Sequence, residues 1–279
     1  MQRLVFLLAI FLSTSGQAQN EIRFRLIDNW AIVVEGAIAG TSHVSMLIDT
    51  GAVPSAIDGC LAKQMGLSGT RSEISVMNRT IGAERIRVSD VRVGPVSVAG
   101  LEMVAVDLSQ ISKALGTRIG AVIGLDLLGK QSFNLDYRHR RIAFRADSAG
   151  MDAVHFEVGE EASGKYIVIP VESEGQKLKV LLDTGTKDLM LFKNRVHGMV
   201  NALPTRAVSN LNAGGEDHLS EVELPSLSMG PLTRQKQKAY LWTFTEDRDR
   251  GFDGLLGPAA LGVAIIRFDF ERNVIEVGK

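Results

Sequence analysis

The sequence predicts an all-β protein made of two copies of one domain. Three observations carry this. Short β-type runs separated by turn residues dominate the chain. The triplet Asp-Thr-Gly occurs twice, at Asp49-Thr50-Gly51 and Asp183-Thr184-Gly185, each time directly after an apolar run. The landmarks that follow then keep step. An apolar-apolar-Gly segment places Gly124 75 residues after Asp49 and Gly257 74 after Asp183. Asp136 lies 87 after Asp49, and Asp269 lies 86 after Asp183. Register held to one residue over such a span implies a duplicated domain.

Taken in order, the 279-residue chain opens with an export-type leader. Arg3 supplies positive charge, Leu4 to Leu12 is apolar, and Gly16-Gln17-Ala18 is a small-x-small cleavage site. The apolar run falls short of the about 20 residues that span a bilayer. Residues 1–18 are therefore expected to be a signal peptide, removed near Ala18. The mature protein is expected to be periplasmic or secreted, without stable membrane insertion. The first copy takes residues 19–147 and the second 148–279, with the boundary in the polar, small-residue stretch Asp147 to Met151.

In the first copy, strands are predicted at Ala31–Val34, Val44–Ile48, Ile74–Val76, Ile86–Val88 and Val91–Val93. Gly36, Gly40, Gly94 and, in the second copy, Gly230 read as turns. Asp58 is placed to cap a short helix over Gly59–Met65, with Gly66 just past its end. A second short helix is predicted over Ser109–Leu115. The second copy offers strands at Tyr166–Val171 and Leu178–Leu182 and a helix from about Lys193 to Ala202.

Formal net charge is −1, with no basic patch and no acidic tail, so nucleic acid is not an expected partner. Cys60 is the sole cysteine. It permits no internal disulfide and is expected to be a small buried hydrophobe. His43, His139, His155, His197 and His218 lack metal-ligand spacing. There is no GxSxG elbow, P-loop or dinucleotide fingerprint. Serine hydrolase, metalloprotease and nucleotide enzyme are poor candidates, and neither metal nor cofactor is expected.

The paired triplets suggest a chemistry that needs two carboxylates, one from each copy. Gly permits a tight turn and close approach. Thr offers a hydroxyl that can lock one loop to the other. If the loops meet about a pseudo-twofold axis, Asp49 and Asp183 face each other and share one proton, because like charges that close cannot both ionise. The ionised member takes a proton from water while the protonated member hydrogen-bonds the carbonyl oxygen under attack. Aspartic proteases are the general worked example of this pairing.

On these residues the chain resembles a retropepsin-like aspartic peptidase of the bacterial exported type, with two lobes fused in one polypeptide as in pepsin. Ile48-Asp49-Thr50-Gly51-Ala52 and Leu182-Asp183-Thr184-Gly185-Thr186 match the family's two catalytic loops. Val122-Ile123-Gly124 and Leu255-Leu256-Gly257 match the segment that supports each loop. The resemblance implies two β-barrel lobes with a cleft between them and a peptide or protein substrate. It also implies a single-chain, monomeric active unit. Asp136 and Asp269 take a structural position. The Thr186 hydroxyl is implied to donate to the outer oxygen of Asp183, where Ala52 gives Asp49 no such bond. Paired flaps are implied, with tips at Ile81-Gly82 and Gly214-Gly215. Lys187 and Asp188 depart from the family pattern and are expected to point to solvent; Pro258-Ala259 replaces a polar residue. A non-catalytic peptide-binding protein on the same fold remains the alternative.

Overall fold

The computed structural model describes residues 20–76, 79–145, 150–161, 164–200, 206–212, 215–243 and 251–278. It is all-β and two-lobed. The first half runs β1 (Glu21–Arg23), β2 (Arg25–Ile27), β3 (Ala31–Ile38), β4 (Thr41–Ile48), β5 (Ala56–Asp58), α1 (Gly59–Gln64), β6 (Thr70–Val76), β7 (Arg79–Val93), β8 (Val96–Val106), α2 (Ser109–Ala114), β9 (Ala121–Ile123), α3 (Leu125–Leu128), β10 (Phe133–Asp136) and β11 (Arg141–Phe144). The second half runs β12 (Asp152–His155), β13 (Glu157–Glu161), β14 (Gly164–Ser173), β15 (Gln176–Leu182), β16 (Leu189–Phe192), α4 (His197–Val200), β17 (Arg206–Asn212), β18 (Gly215–Met229), β19 (Leu232–Trp242), β20 (Gly254–Leu256), α5 (Pro258–Leu261), β21 (Ile265–Asp269) and β22 (Val274–Gly278). The expected boundary near residue 147 lies outside the described residues. No helix among them is long and apolar enough to cross a membrane.

Each half contributes an eight-stranded sheet, ordered β2-β3-β4-β9-β5-β8-β7-β6 and β13-β14-β15-β20-β16-β19-β18-β17. The two orders correspond strand for strand. Extra pairings, β3 with β7 and β14 with β18, curl each sheet toward a barrel. A six-stranded sheet, β1-β11-β10-β21-β22-β12, takes three strands from each half. At its centre Phe133 faces Phe268, Asn134 faces Arg267 and Leu135 faces Ile266. The repeat offset (267 minus 134) carries Phe133 onto Ile266 and Leu135 onto Phe268. The pseudo-twofold axis therefore passes through the Asn134–Arg267 pair. The Phe133 and Phe268 rings stack beside it with centroids 4.6 Å apart.

The sequence pattern explains the layering. Ala31 to Val34 is an unbroken apolar run because β3 is buried on both faces. Ile32 and Val34 enter a core shared by both lobes and the six-stranded sheet. Ala31 and Val33 enter a second cluster confined to lobe 1. β4 alternates in the same way, with Met46 and Ile48 in the shared core and Leu47 in the lobe 1 cluster. In β15, Val180 and Leu182 face the shared core and Leu181 faces a lobe 2 cluster.

Local signals held where the backbone alone decides. The Asp58 side chain caps α1 by accepting from Leu61 N–H at 3.0 Å. Other expectations are corrected by packing. Ile86–Val88 and Val91–Val93 are parts of one long strand, β7. Gly36 is no turn: it lies in β3 beside a bulge, where an added Cβ would sit 2.5 Å from the Arg92 carbonyl of β7. The second-half helix begins at His197, not Lys193, because the Lys193 N–H is drawn to Trp242 O on β19. Its expected end at Ala202 lies outside the described residues. Cys60 is exposed, on the outward face of α1, and not buried.

Candidate active site

Both triplets begin where a central strand ends. The Asp49 N–H donates to Ile123 O and the Asp183 N–H to Leu256 O, each at 3.0 Å, so the Gly segments on β9 and β20 hold the loops by matching bonds. Period-two alternation puts Asp49 on the face of Leu47 and Asp183 on the face of Leu181. Each carboxyl thus projects from the face that carries its own lobe's separate apolar cluster. Gly124 and Gly257 let the segments pass under the loops. A Cβ on Gly124 would lie 2.0 Å from Ala52 O, and one on Gly257 2.2 Å from Thr186 O.

The structure brings the two loops together. Thr50 N–H donates to Thr184 Oγ1 at 3.0 Å, and Thr184 N–H to Thr50 Oγ1 at 3.1 Å. Each hydroxyl then donates onward across the axis, Thr50 to Leu182 O at 2.7 Å and Thr184 to Ile48 O at 2.9 Å. Both threonines are buried, so all four polar groups depend on this exchange. The glycines close the gap. A Cβ on Gly51 would sit 2.6 Å from the Asp183 carboxyl carbon, and one on Gly185 2.3 Å from that of Asp49. Only glycine leaves room for the opposite carboxyl at these positions.

Asp49 and Asp183 each lie against the glycine of the opposite loop, so the two carboxyls share one site. Gly51 N–H donates to Asp49 Oδ1 at 2.9 Å and Gly185 N–H to Asp183 Oδ1 at 2.7 Å. Burial lifts both carboxyls above the ordinary carboxylate range. The charge of Asp49 raises Asp183 further. Each charge opposes the other's ionisation, so the two carboxyls titrate as a pair and not as separate residues.

Thr186 does not take the place the resemblance implied. Its hydroxyl is directed at Met190 Sδ, 3.7 Å away on β16, and not at Asp183. The rotamer follows the buried Met190 that packs beside the loop. Asp136 and Asp269 brace the hairpins at either side of the axis. Asp136 accepts from His139 N–H at 2.8 Å. Asp269 accepts from the N–H groups of Glu271 and Arg272 and from the Arg267 and Arg272 guanidinium groups. Of the two loop charges expected in solvent, Lys187 is exposed but Asp188 is half-buried.

Each lobe carries a long hairpin over its carboxyl-side cluster. Ile74 and Ile81 pair across β6 and β7 and pack on the lobe 1 cluster. Val208 and Leu219 do so across β17 and β18 in lobe 2. Neither Ile81 nor Gly82 is a tip. Ile81 faces Ile74, Gly82 faces Glu73, and the last rung is Val76 opposite Arg79. Nothing lies within 4 Å of a Cβ on Gly82, so glycine is tolerated there without marking a turn. In the second hairpin Gly215 occupies the last rung, opposite Asn212, while Gly214 lies outside the described residues.

One polar bracket beside the site escaped sequence reasoning. Ser55 N–H and Oγ both donate to the Asp126 carboxylate, and Gly124 N–H donates to Ser55 Oγ at 2.8 Å. The available signal was Asp126 itself, a charge inside the apolar segment Ala121–Leu128.

Two fused β-lobes that present one aspartate each at a reciprocal Thr–Thr lock define the retropepsin-like aspartic peptidase class of fold. The aspartyl protease family model matches residues 34–127 and 169–259, once in each lobe. The chain belongs to that family. Each matched stretch contains one Asp-Thr-Gly triplet and one Gly segment. No curated protein matches the chain.

Proposed function

We propose that the protein is an aspartic endopeptidase that hydrolyses peptide bonds with Asp49 and Asp183 as its catalytic residues. The observation that carries this is the pair of facing carboxyls, each packed against the opposite loop's glycine at the Thr50–Thr184 lock. The ionised carboxylate removes a proton from a water held between the pair and the substrate. The resulting hydroxyl forms a bond to the carbonyl carbon. The protonated carboxyl gives its proton to the carbonyl oxygen, so a gem-diol forms. The C–N bond then breaks as the amine nitrogen takes a proton from the acid and a diol hydroxyl returns one to the pair. The products are a carboxyl and an amine, and the pair again holds one proton. Burial supports this chemistry by keeping one member protonated where an exposed carboxyl would be ionised.

The hairpins β6–β7 and β17–β18 serve as flaps over the substrate, since each lies over the face from which a carboxyl projects. The active unit is one polypeptide, because each lobe supplies half of the site. Residues 1–18 direct export and are removed, leaving lobes of 19–147 and 148–279. The purified protein should cleave a peptide library, and Asp49→Asn and Asp183→Asn should each abolish cleavage while remaining folded. A folded wild type that binds peptides and cleaves none would establish the binding-protein reading instead.

A further inference from the structure

The loop after Asp183 differs from the loop after Asp49 at three successive positions, and one of these introduces a carboxylate. Lobe 1 has Pro54 where lobe 2 has Asp188. In β16, Leu189 and Leu191 enter the shared core, whereas Met190 and Phe192 enter the lobe 2 cluster. Alternation places residue 188 with Met190 and Phe192, on the face from which Asp183 projects. The main chain there is fixed, since Asp188 O accepts from Gly257 N–H at 3.1 Å. The Asp188 carboxylate is half-buried and accepts no hydrogen bond among the described residues.

Its surroundings are polar and already committed elsewhere. The charged and titratable groups facing Asp188 are Lys187 on its own loop, Glu221 on β18, and Lys238 and Tyr240 on β19. Glu221 is engaged by Lys238 at 3.4 Å and faces Tyr240 across β18 and β19. Tyr240 packs against the lobe 2 cluster. Asp188 is left without a donor. Neither Lys187 nor Lys238 forms an ion pair with it among the described residues, and burial raises its carboxyl above the ordinary range. Nothing equivalent exists in lobe 1. Ala56 pairs with Val104 where Met190 pairs with Tyr240.

We propose that Asp188 forms the anionic base of a subsite on the lobe 2 side of the cleft, which takes a lysine or arginine side chain of the bound peptide. The ammonium or guanidinium supplies the donors that the carboxylate lacks. The aliphatic stem lies along Tyr240 and Met190. The preference acts on one side of the bound peptide only, because Pro54 and Val104 offer no charge in lobe 1. Asp188 must be ionised to hold a cation, so the preference strengthens as pH rises through its raised value.

This subsite rests on the cleft being a peptide site, and the experiment separates the two. A positional-scanning peptide library is read by cleavage with the wild type and by binding to Asp49→Asn, which needs no turnover. At one peptide position Lys or Arg should be favoured over Gln about tenfold, the order of one charge-assisted contact. Asp188→Asn should bring that ratio close to unity, and Asp188→Lys should turn it toward Glu. Lys187→Ala should leave the ratio in place. No basic preference in either readout, or one that survives Asp188→Asn, overturns the subsite. Binding with the preference but no cleavage upholds the subsite and overturns catalysis; cleavage without it does the reverse. Absence of both binding and cleavage overturns both.

Discussion

Gly124 and Gly257 pass beneath matching loops in the two lobes, yet the side chains that brace them have nothing in common. In lobe 1 the brace is polar: Ser55 and Asp126 clasp each other and the Gly124 N–H. In lobe 2 the equivalent positions hold Leu189 and Ala259, and the Gly257 N–H turns to the main-chain oxygen of Asp188. Leu189 is buried in the shared core. At the paired Asp-Thr-Gly loops, by contrast, the lobes make the same hydrogen bonds. Thr50 must fit Thr184, and Gly51 must fit the carboxyl of Asp183, so a change on one side strands a partner on the other. Residues that face only their own lobe carry no such reciprocal demand, and there the copies have diverged.

The largest effect belongs to the axis. Replacing either aspartate with asparagine should cut turnover by about 10²–10⁴-fold, the range of a lost general acid–base group. The two losses should be alike. A variant that keeps near-normal turnover would exclude the shared-proton mechanism and break the symmetry.

Next in size is the lock. Thr50→Val and Thr184→Val each leave two buried backbone groups without partners, at about 1–3 kcal/mol apiece. Urea unfolding should show equal losses for the two. Unequal losses would show that the exchange is not reciprocal.

Away from the axis the two braces should fail by different mechanisms. Leu189→Ala should cost about 2–5 kcal/mol through a cavity. Asp126→Ala should cost about 1–3 kcal/mol by stranding Ser55. A double-mutant cycle sharpens the contrast, since Ser55→Ala with Asp126→Ala should couple by about 0.5–3 kcal/mol. Additive losses there would remove the polar brace as an explanation.

The smallest effects are the pH slopes, and they differ in sign. Burial, then the charge of Asp49, raise the folded-state pKa of Asp183. Its contribution to stability is therefore present at acid pH and lost as pH rises through that raised value. Asp183→Asn should be more stable than the wild type at neutral pH, with the gap closing toward acid. Asp269 runs the other way. Burial pushes it up, but the hydrogen bonds from Arg272 and Arg267 prevail and hold it well below the usual carboxylate range. Its contribution is present at neutral pH and lost as pH falls through the ordinary carboxylate range and below. Asp269→Asn should therefore be the less stable variant at neutral pH, with the gap closing toward acid. Thermal melts across pH decide both, and slopes of the same sign would contradict these assignments.

Much of this protein is legible from residue order alone. Alternation in Val44–Ile48 and Leu178–Leu182 determines which side chains enter the core and on which face the following Asp lies. The spacing of Asp49, Gly124 and Asp136, repeated by Asp183, Gly257 and Asp269, determines the duplication and the pairing of loop with Gly segment. These are properties of a two-residue period and of glycine's size, so they need no knowledge of distant neighbours. What the tertiary structure decided are choices between partners. The Thr186 hydroxyl goes to Met190 because that side chain packs beside it. Strand register places Gly82 within β7, and the core shared by both lobes leaves Cys60 outside. Asp188 is half-buried, and the nearby Lys238 pairs with Glu221 instead of with it. A chain states which groups can bond; only the folded arrangement determines which of several reachable partners each one meets.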